Sequence, residues 1–142
     1  MNDPMSALNI LIIDDQRAMR SILRQLLESI GIRNVRDAPN GDEALAMLTE
    51  YGEPCDLILC DLFMDKMDGL QFCNAIRRDA DLRNRHIPVL LLTAERDKLV
   101  LDVVRQVGAT AIAHKPISAP ELRAAIERLV GFSGKASRSS VA

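Results

Sequence analysis

The chain has 142 residues, 48% of them hydrophobic, which suits one domain with its own core on the usual scale of roughly 100–200 residues per domain. Lys and Arg number 18 against 20 Asp and Glu, a formal net charge of −2, so the broad positive field of a nucleic-acid binder is missing and no direct nucleic-acid contact is expected. The sequence has no run of about 18 apolar residues, which excludes a spanning helix, and residues 1–9 lack the basic-then-apolar pattern of a secretory signal. Cysteines at 55, 60 and 73 make neither a CxxC pair nor a disulfide framework. A cytoplasmic domain without membrane contact is expected.

Residues 1–8 read as an N-terminal extension. Asn9 to Ile13 is apolar and β-branched, ends at Asp14–Asp15, and is expected to be a buried strand. Met19, Ile22, Leu23, Leu26, Leu27 and Ile30 then recur at helical steps up to Gly31. Val35 to Ala38 makes a weak second strand. Asn40 and Glu43 have capping-box spacing and open a helix that turns Ala44, Leu45 and Leu48 inward. Leu57 to Cys60 is a third strand ending at Asp61, after which Asp68–Gly69 leads into a helix through Leu70, Cys73 and Ile76. Pro88 to Leu92 is the fourth strand and runs into Thr93. Val100, Val103, Val104 and Val107 share one face of the next helix, which stops at Gly108. Ala111 to Ala113 is a short fifth strand before Lys115–Pro116. Ser118 and Glu121 form a second capping box, with a proline in the first turn, for a last helix carrying Leu122, Ala125, Ile126 and Leu129. Residues 132–142 are small and polar, the composition of a disordered tail.

Strands that alternate with helices and are apolar throughout call for a parallel sheet covered on both faces. Five such units between residues 9 and 131 predict an α/β, flavodoxin-like, doubly wound five-stranded sheet, (βα)5, with strand order 2-1-3-4-5. In such sheets functional residues gather outside the carboxyl ends of the strands. That edge collects Asp14 and Asp15 from the first strand, Asp61 from the third, Thr93 from the fourth and Lys115 from the fifth. Each has an ordinary explanation taken singly: Asp14–Asp15 and Thr93 as helix caps, Asp61 as a turn residue, Lys115 as a solvated loop lysine. Five polar residues at one edge are hard to obtain from caps alone.

Three clustered carboxylates repel one another, so a pKa rises unless a cation intervenes, and hard oxygen donors favour Mg2+ over zinc. With charge neutralised by the metal and Lys115, a carboxylate can accept a phosphoryl group as an acyl phosphate. Asp61, on the central strand, is the expected acceptor, and Thr93 the hydroxyl that donates to the new phosphoryl oxygens. Cys60 and Cys73 read as small core residues, His86 and His114 as surface histidines, and Asp65 and Asp68 as turn and cap residues near the site.

Taken together, Ile-Ile-Asp14-Asp15, Leu-Cys-Asp61, Met67-Asp68-Gly69-Leu70, Leu-Leu-Thr93-Ala94, Gly108-Ala109 and Lys115-Pro116 resemble the receiver domain of two-component response regulators, from Asn9 to about Val130. The spacing from Thr93 to Lys115 is similar to that of stand-alone chemotaxis-type receivers. The resemblance implies that Asp61 is phosphorylated from a histidine kinase or phosphotransfer protein. It implies that Asp15 and Asp61 hold Mg2+ directly, Asp14 through water, and Phe63 through its backbone carbonyl. Thr93 would be the switch hydroxyl and Lys115 the phosphate-pairing lysine, with the Lys115–Pro116 bond often cis. Such a domain assists its own phosphorylation and dephosphorylation but is not a turnover enzyme.

The same resemblance implies partner faces. The first helix, with Ala18, Met19 and Ile22 and with Arg17, Arg20 and Arg24 at its rim, would meet the kinase. The face of the fourth helix, fifth strand and fifth helix would meet a downstream protein or a second copy, making the chain a monomer or a phosphorylation-dependent dimer. Leu99 and Leu101 flank the valine stripe and are expected to extend that surface.

Three positions depart from the family pattern. Asp65 stands where a proline is common, which predicts a looser, more acidic loop. Phe63 stands two residues past the acceptor, where smaller or polar residues are frequent, and its bulk is expected to shield an acyl phosphate from water. Ile112 stands where Tyr or Phe is common, so no swinging ring relays the signal, and coupling must run through Thr93, loop motion and repacking of the fourth helix. A flavin-binding flavodoxin is disfavoured because the loop Asp14-Asp15-Gln16-Arg17 is acidic where a phosphate should sit. A phosphoaspartate hydrolase would need a DxD motif, whereas the acceptor reads Asp61-Leu62-Phe63. A non-phosphorylated receiver-like binding module and a receiver fragment of a longer response regulator are the remaining alternatives.

Overall fold

Short β-branched runs cannot close enough helical turns to be stable, and here they pair instead as strands. The computed structural model describes residues 4–131; the expected disordered tail lies outside the described residues. Five strands, β1 (Asn9–Ile13), β2 (Asn34–Ala38), β3 (Leu57–Asp61), β4 (Val89–Thr93) and β5 (Ala111–His114), form one parallel sheet in the order β2-β1-β3-β4-β5. Six helices connect and flank them: α1 (Arg17–Ser29), α2 (Gly41–Thr49), α3 (Gly69–Ile76), α4 (Leu82–Arg85), α5 (Lys98–Val107) and α6 (Ala119–Val130). The doubly wound sheet and its strand order are those expected from the sequence.

Successive side chains of a strand point to opposite faces, so each central strand supplies two cores. Ile10, Ile12, Leu57, Leu59, Leu90 and Leu92 pack with Leu23 and Leu27 of α1 and Leu122 and Ile126 of α6. Leu11, Ile13, Ile58, Cys60, Val89 and Leu91 pack with Ala44 and Leu48 of α2, Phe72, Cys73 and Ile76 of α3, and Val104 of α5. Cys60 and Cys73 are core residues, as expected, and burial pushes the Cys73 thiol up to about 11 and that of Cys60 well above its ordinary value.

Helix starts follow local chemistry. Asn40 Oδ1 accepts from the Glu43 N–H at 2.9 Å, and reciprocal capping boxes join Asp68 with Gln71 and Ser118 with Glu121. Gly108 closes α5 at φ 140°, a conformation that a side chain would strain.

Two faces differ from expectation. Ile22 of α1 is exposed and lies outside the stripe that Leu23 and Leu27 bury. In α5, Leu101 is 8% exposed and faces the core, while Val103 is 49% exposed and stands beside exposed Leu99. Six of ten α5 residues are apolar, so two overlapping stripes fit the helical period and the sequence alone does not choose between them. The apolar surface of α5 is therefore Leu99 with Val103, not Leu99 with Leu101. Two short elements were not foreseen: the one-turn α4, and a 3-10 turn over Pro4–Ala7 that inserts Met5, 1% exposed, into the core with Leu8.

Candidate functional site

The sheet register sets the site. Ile13 pairs with Cys60, Asp61 with Leu92, and Thr93 with His114, so the ends of β1, β3, β4 and β5 finish at one edge. Asp14 and Asp15 follow β1, Asp61 and Thr93 are the last residues of their strands, and Lys115 follows β5. All five polar residues expected at that edge come from neighbouring strand ends. Carboxylate oxygens of Asp14, Asp15 and Asp61 lie within 4.8 Å of one another. Lys115 Nζ stands 3.2 Å from Asp61 Oδ1 and 3.5 Å from Asp14 Oδ2.

Asp14, Asp15 and Thr93 are not the N-caps of the helices that follow them, and Lys115 is not a loosely solvated loop lysine. The N-cap of α1 is Gln16, whose N–H donates to Asp14 Oδ1 at 2.9 Å, and the N-cap of α5 is Asp97. Thr93, fully buried, accepts at Oγ1 from the Glu95 N–H at 3.0 Å. Lys115 is ion-paired rather than loosely solvated, and its bond to Pro116 is cis.

The charge balance is incomplete. Asp14 is 1% exposed, and its Oδ2 has no hydrogen-bond partner among the described residues; Lys115 is near it only as an ion pair. A buried carboxylate oxygen without a hydrogen bond is costly. Burial raises the Asp61 pKa above its ordinary value; the ammonium of Lys115 works against this, and the charges of Asp14 and Asp15 add to it. Three carboxylates face one lysine. A divalent cation with oxygen preference supplies what this donor set lacks, and so the residues present fit Mg2+.

Neighbouring groups fix the cluster. Gly69 permits close approach of α3 to β3: a Cβ there would lie 2.6 Å from the Asp61 carbonyl oxygen. Arg20, expected at the kinase-facing rim, instead turns inward, donating to the Asp14 carbonyl at 2.7 Å and pairing with Asp37 at 3.7 Å. Arg24 also pairs with Asp37, at 3.4 Å, while Arg17 remains exposed. Asp68 caps α3, as expected, and the backbone N–H of Asp65 donates to Asp15 Oδ2 at 3.1 Å. No sequence signal marks that bond, because it uses a main-chain group.

Phe63 stands in the loop after β3, 59% exposed, and lines a shallow groove of about 230 Å³ with Leu70, Val100 and Val103. Ile112 lies on β5, at the edge of the sheet, and lines a larger groove of about 570 Å³ with His114, Arg96 and α6 residues such as Ala125 and Arg128. His114 is half-buried rather than on the open surface, its Nδ1 enclosed without a partner among the described residues; His86 is exposed. Among the described residues, no helix is long and apolar enough to cross a membrane.

Comparison with known proteins gives a consistent result. A family model described as the response regulator receiver domain matches residues 10–127. A chemotaxis protein CheY of Pseudomonas aeruginosa is 35% identical over 122 residues, covering 86% of this chain and 95% of its own. A probable chemotaxis protein CheY of Rhizobium etli is 31% identical over 124 residues, covering 87% and 93%. Among solved structures, the receiver domain of a sensor histidine kinase from Pseudomonas aeruginosa, which has a magnesium ion coordinated in its active-site cleft, superposes with a TM-score of 0.77 at 25% identity, covering 87% of this chain and 98% of its own.

Proposed function

The chain belongs to the response regulator receiver family, and on that premise we propose that Asp61 accepts a phosphoryl group from a histidine kinase or phosphotransfer protein and that the modified domain changes its protein contacts. The observation that carries this is the position of Asp61 between a lysine and two further carboxylates at the sheet edge, with one buried oxygen left without a hydrogen bond. Asp15, Asp61 and the Phe63 carbonyl would hold Mg2+ directly and Asp14 through water. Bound there, the ion would neutralise negative charge on the transferred group.

The rest is the work of side chains. An Asp61 carboxylate oxygen forms the new bond to phosphorus, and the bond to the donor atom breaks with its electron pair leaving on the donor. Lys115, already 3.2 Å from Asp61, pairs with the incoming phosphoryl oxygens. Thr93 gives up its role as acceptor from the Glu95 N–H and donates its hydroxyl proton to the phosphoryl group, which draws in the end of β4 and the loop toward α5. With Ile112 in place of a ring, that movement passes to α5 rather than to a swinging side chain on β5. The domain is a phosphoacceptor in the cytoplasm and not an enzyme with turnover on an external substrate. The downstream target meets the α5–β5–α6 face.

Intact-mass measurement after incubation with a small acyl phosphate tests the proposal. Wild type with Mg2+ gains one phosphoryl group; Asp61→Asn gains none, and neither does wild type in excess EDTA. An unmodified wild-type mass with both donor and a cognate kinase present leaves a binding-only module.

A further inference from the structure

Asp15, half-buried like Asp61, is the member of the acidic cluster that no cation holds among the described residues. Lys115 pairs with Asp14 and Asp61, and among the described residues no lysine or arginine pairs with Asp15. Its two carboxylate neighbours lie within 4.8 Å and repel it, while its partial exposure offers a route out to water. What retains it is a neutral donor: the backbone N–H of Asp65, 3.1 Å from Asp15 Oδ2 and 50 residues away in the chain. A hydrogen bond to an ionised acceptor is stronger than a neutral one. It is also directional, and so fixes how the carboxylate is aimed. The side chain of Asp65 is exposed and is not among the clustered carboxylates.

We propose that Asp65 is a positioning residue that acts through its main-chain N–H, holding Asp15 in the cluster before any cation arrives and tying the β3–α3 loop, with Phe63 two residues away, to the metal-ligating carboxylate. The proposal rests on the assignment of Mg2+ to this cluster. Its consequence is that residue 65 may be any type that keeps an N–H, and that proline is the one type that uncouples the loop from Asp15.

The test separates the amide from the charge. Asp65→Ala and Asp65→Asn both remove the carboxylate and keep the N–H; Asp65→Pro removes both. Calorimetric titration with MgCl2 is expected to give the Ala and Asn variants the same affinity and the Pro variant an affinity about tenfold weaker than theirs, the scale on which groups that orient metal ligands act. Equal affinity of the Pro and Ala variants overturns the proposal. Thermal melts in EDTA establish that the Pro variant is folded.

A second measurement needs no proline. In EDTA, hydrogen exchange at the Asp65 amide is expected to be slowed in wild type and to return to the unprotected rate in Asp15→Ala; an unprotected amide in wild type overturns the proposal. Absence of Mg2+ binding by wild type would instead defeat the metal assignment itself, and the exchange pair would still decide whether Asp65 holds Asp15.

Discussion

The two ends of the sheet are built by the same repeating unit and treat charge in opposite ways. At the amino end, Arg77 of the turn after α3 makes four hydrogen bonds: its Nε donates to the Gly108 carbonyl at 3.0 Å, one terminal nitrogen to the carbonyls of Arg85 and Ile87 at 3.0 and 2.7 Å, and the other to Thr110 Oγ1 at 3.1 Å. These acceptors flank the starts of β4 and β5, so one guanidinium pins two strands and the end of α5. Burial lowers its pKa, but each of its three nitrogens has an acceptor. At the carboxyl end, three carboxylates share one lysine and a buried oxygen of Asp14 has no hydrogen bond. The Arg77 charge is satisfied by its acceptors, although Glu53 Oε1 and Arg85 Nε near the same end lack hydrogen-bond partners among the described residues, whereas the charge of the carboxyl-end cluster is not balanced by Lys115 alone.

Three substitutions test that contrast. Arg77→Ala should have the largest effect on folding, about 2 kcal/mol or more in chemical denaturation, since several carbonyls lose a charged donor together. Mg2+ affinity should stay unchanged; a large loss of affinity would show the two ends to be coupled.

Asp61→Asn should act in the opposite sense on the metal-free protein. Because the folded-state pKa of Asp61 is raised, there is a pH window above the ordinary carboxylate range in which the folded form holds a proton there that the unfolded chain has lost. That contribution is complete below the ordinary carboxylate range and disappears as pH rises through the raised value. Melts in EDTA should therefore show Asp61→Asn a few degrees more stable than wild type near pH 7, with the gap shrinking as pH falls toward about 4. A variant less stable than wild type at neutral pH would mean that the Lys115 pair outweighs burial and repulsion. The smallest effect is expected at Phe63, where replacement by Asn should shorten the acyl-phosphate lifetime a few-fold; equal lifetimes would show that the exposed ring lends no shelter.

Most of the carboxyl end was legible because its residues are fixed by strand ends. A run such as Asn9–Ile13 announces both the strand and the place where Asp14 and Asp15 must emerge, and the parallel order then brings Asp61, Thr93 and Lys115 to the same edge. The amino end was hardly legible. Arg77 bonds mostly to carbonyls, which every residue carries, so nothing in the sequence distinguishes it from its neighbour Arg78. The Asp65 amide was hidden for the same reason, and its side chain pointed toward charge rather than hydrogen bonding. Met5 lies in a segment too short for a periodic pattern, yet fills the core. Leu101 and Val103 were exchanged because α5 is apolar over too much of its surface for the period to choose a face.

The most direct test of a site built by deficit is a backbone-amide NMR titration with Mg2+ and then beryllofluoride, a stand-in for the phosphoryl group. Shifts are predicted at Asp15, Asp61 and Thr93 on adding Mg2+, spreading with beryllofluoride along α5 to Leu101 and to Ile112 of β5. No response to either addition would contradict the assignment of cation and phosphoryl binding to this edge.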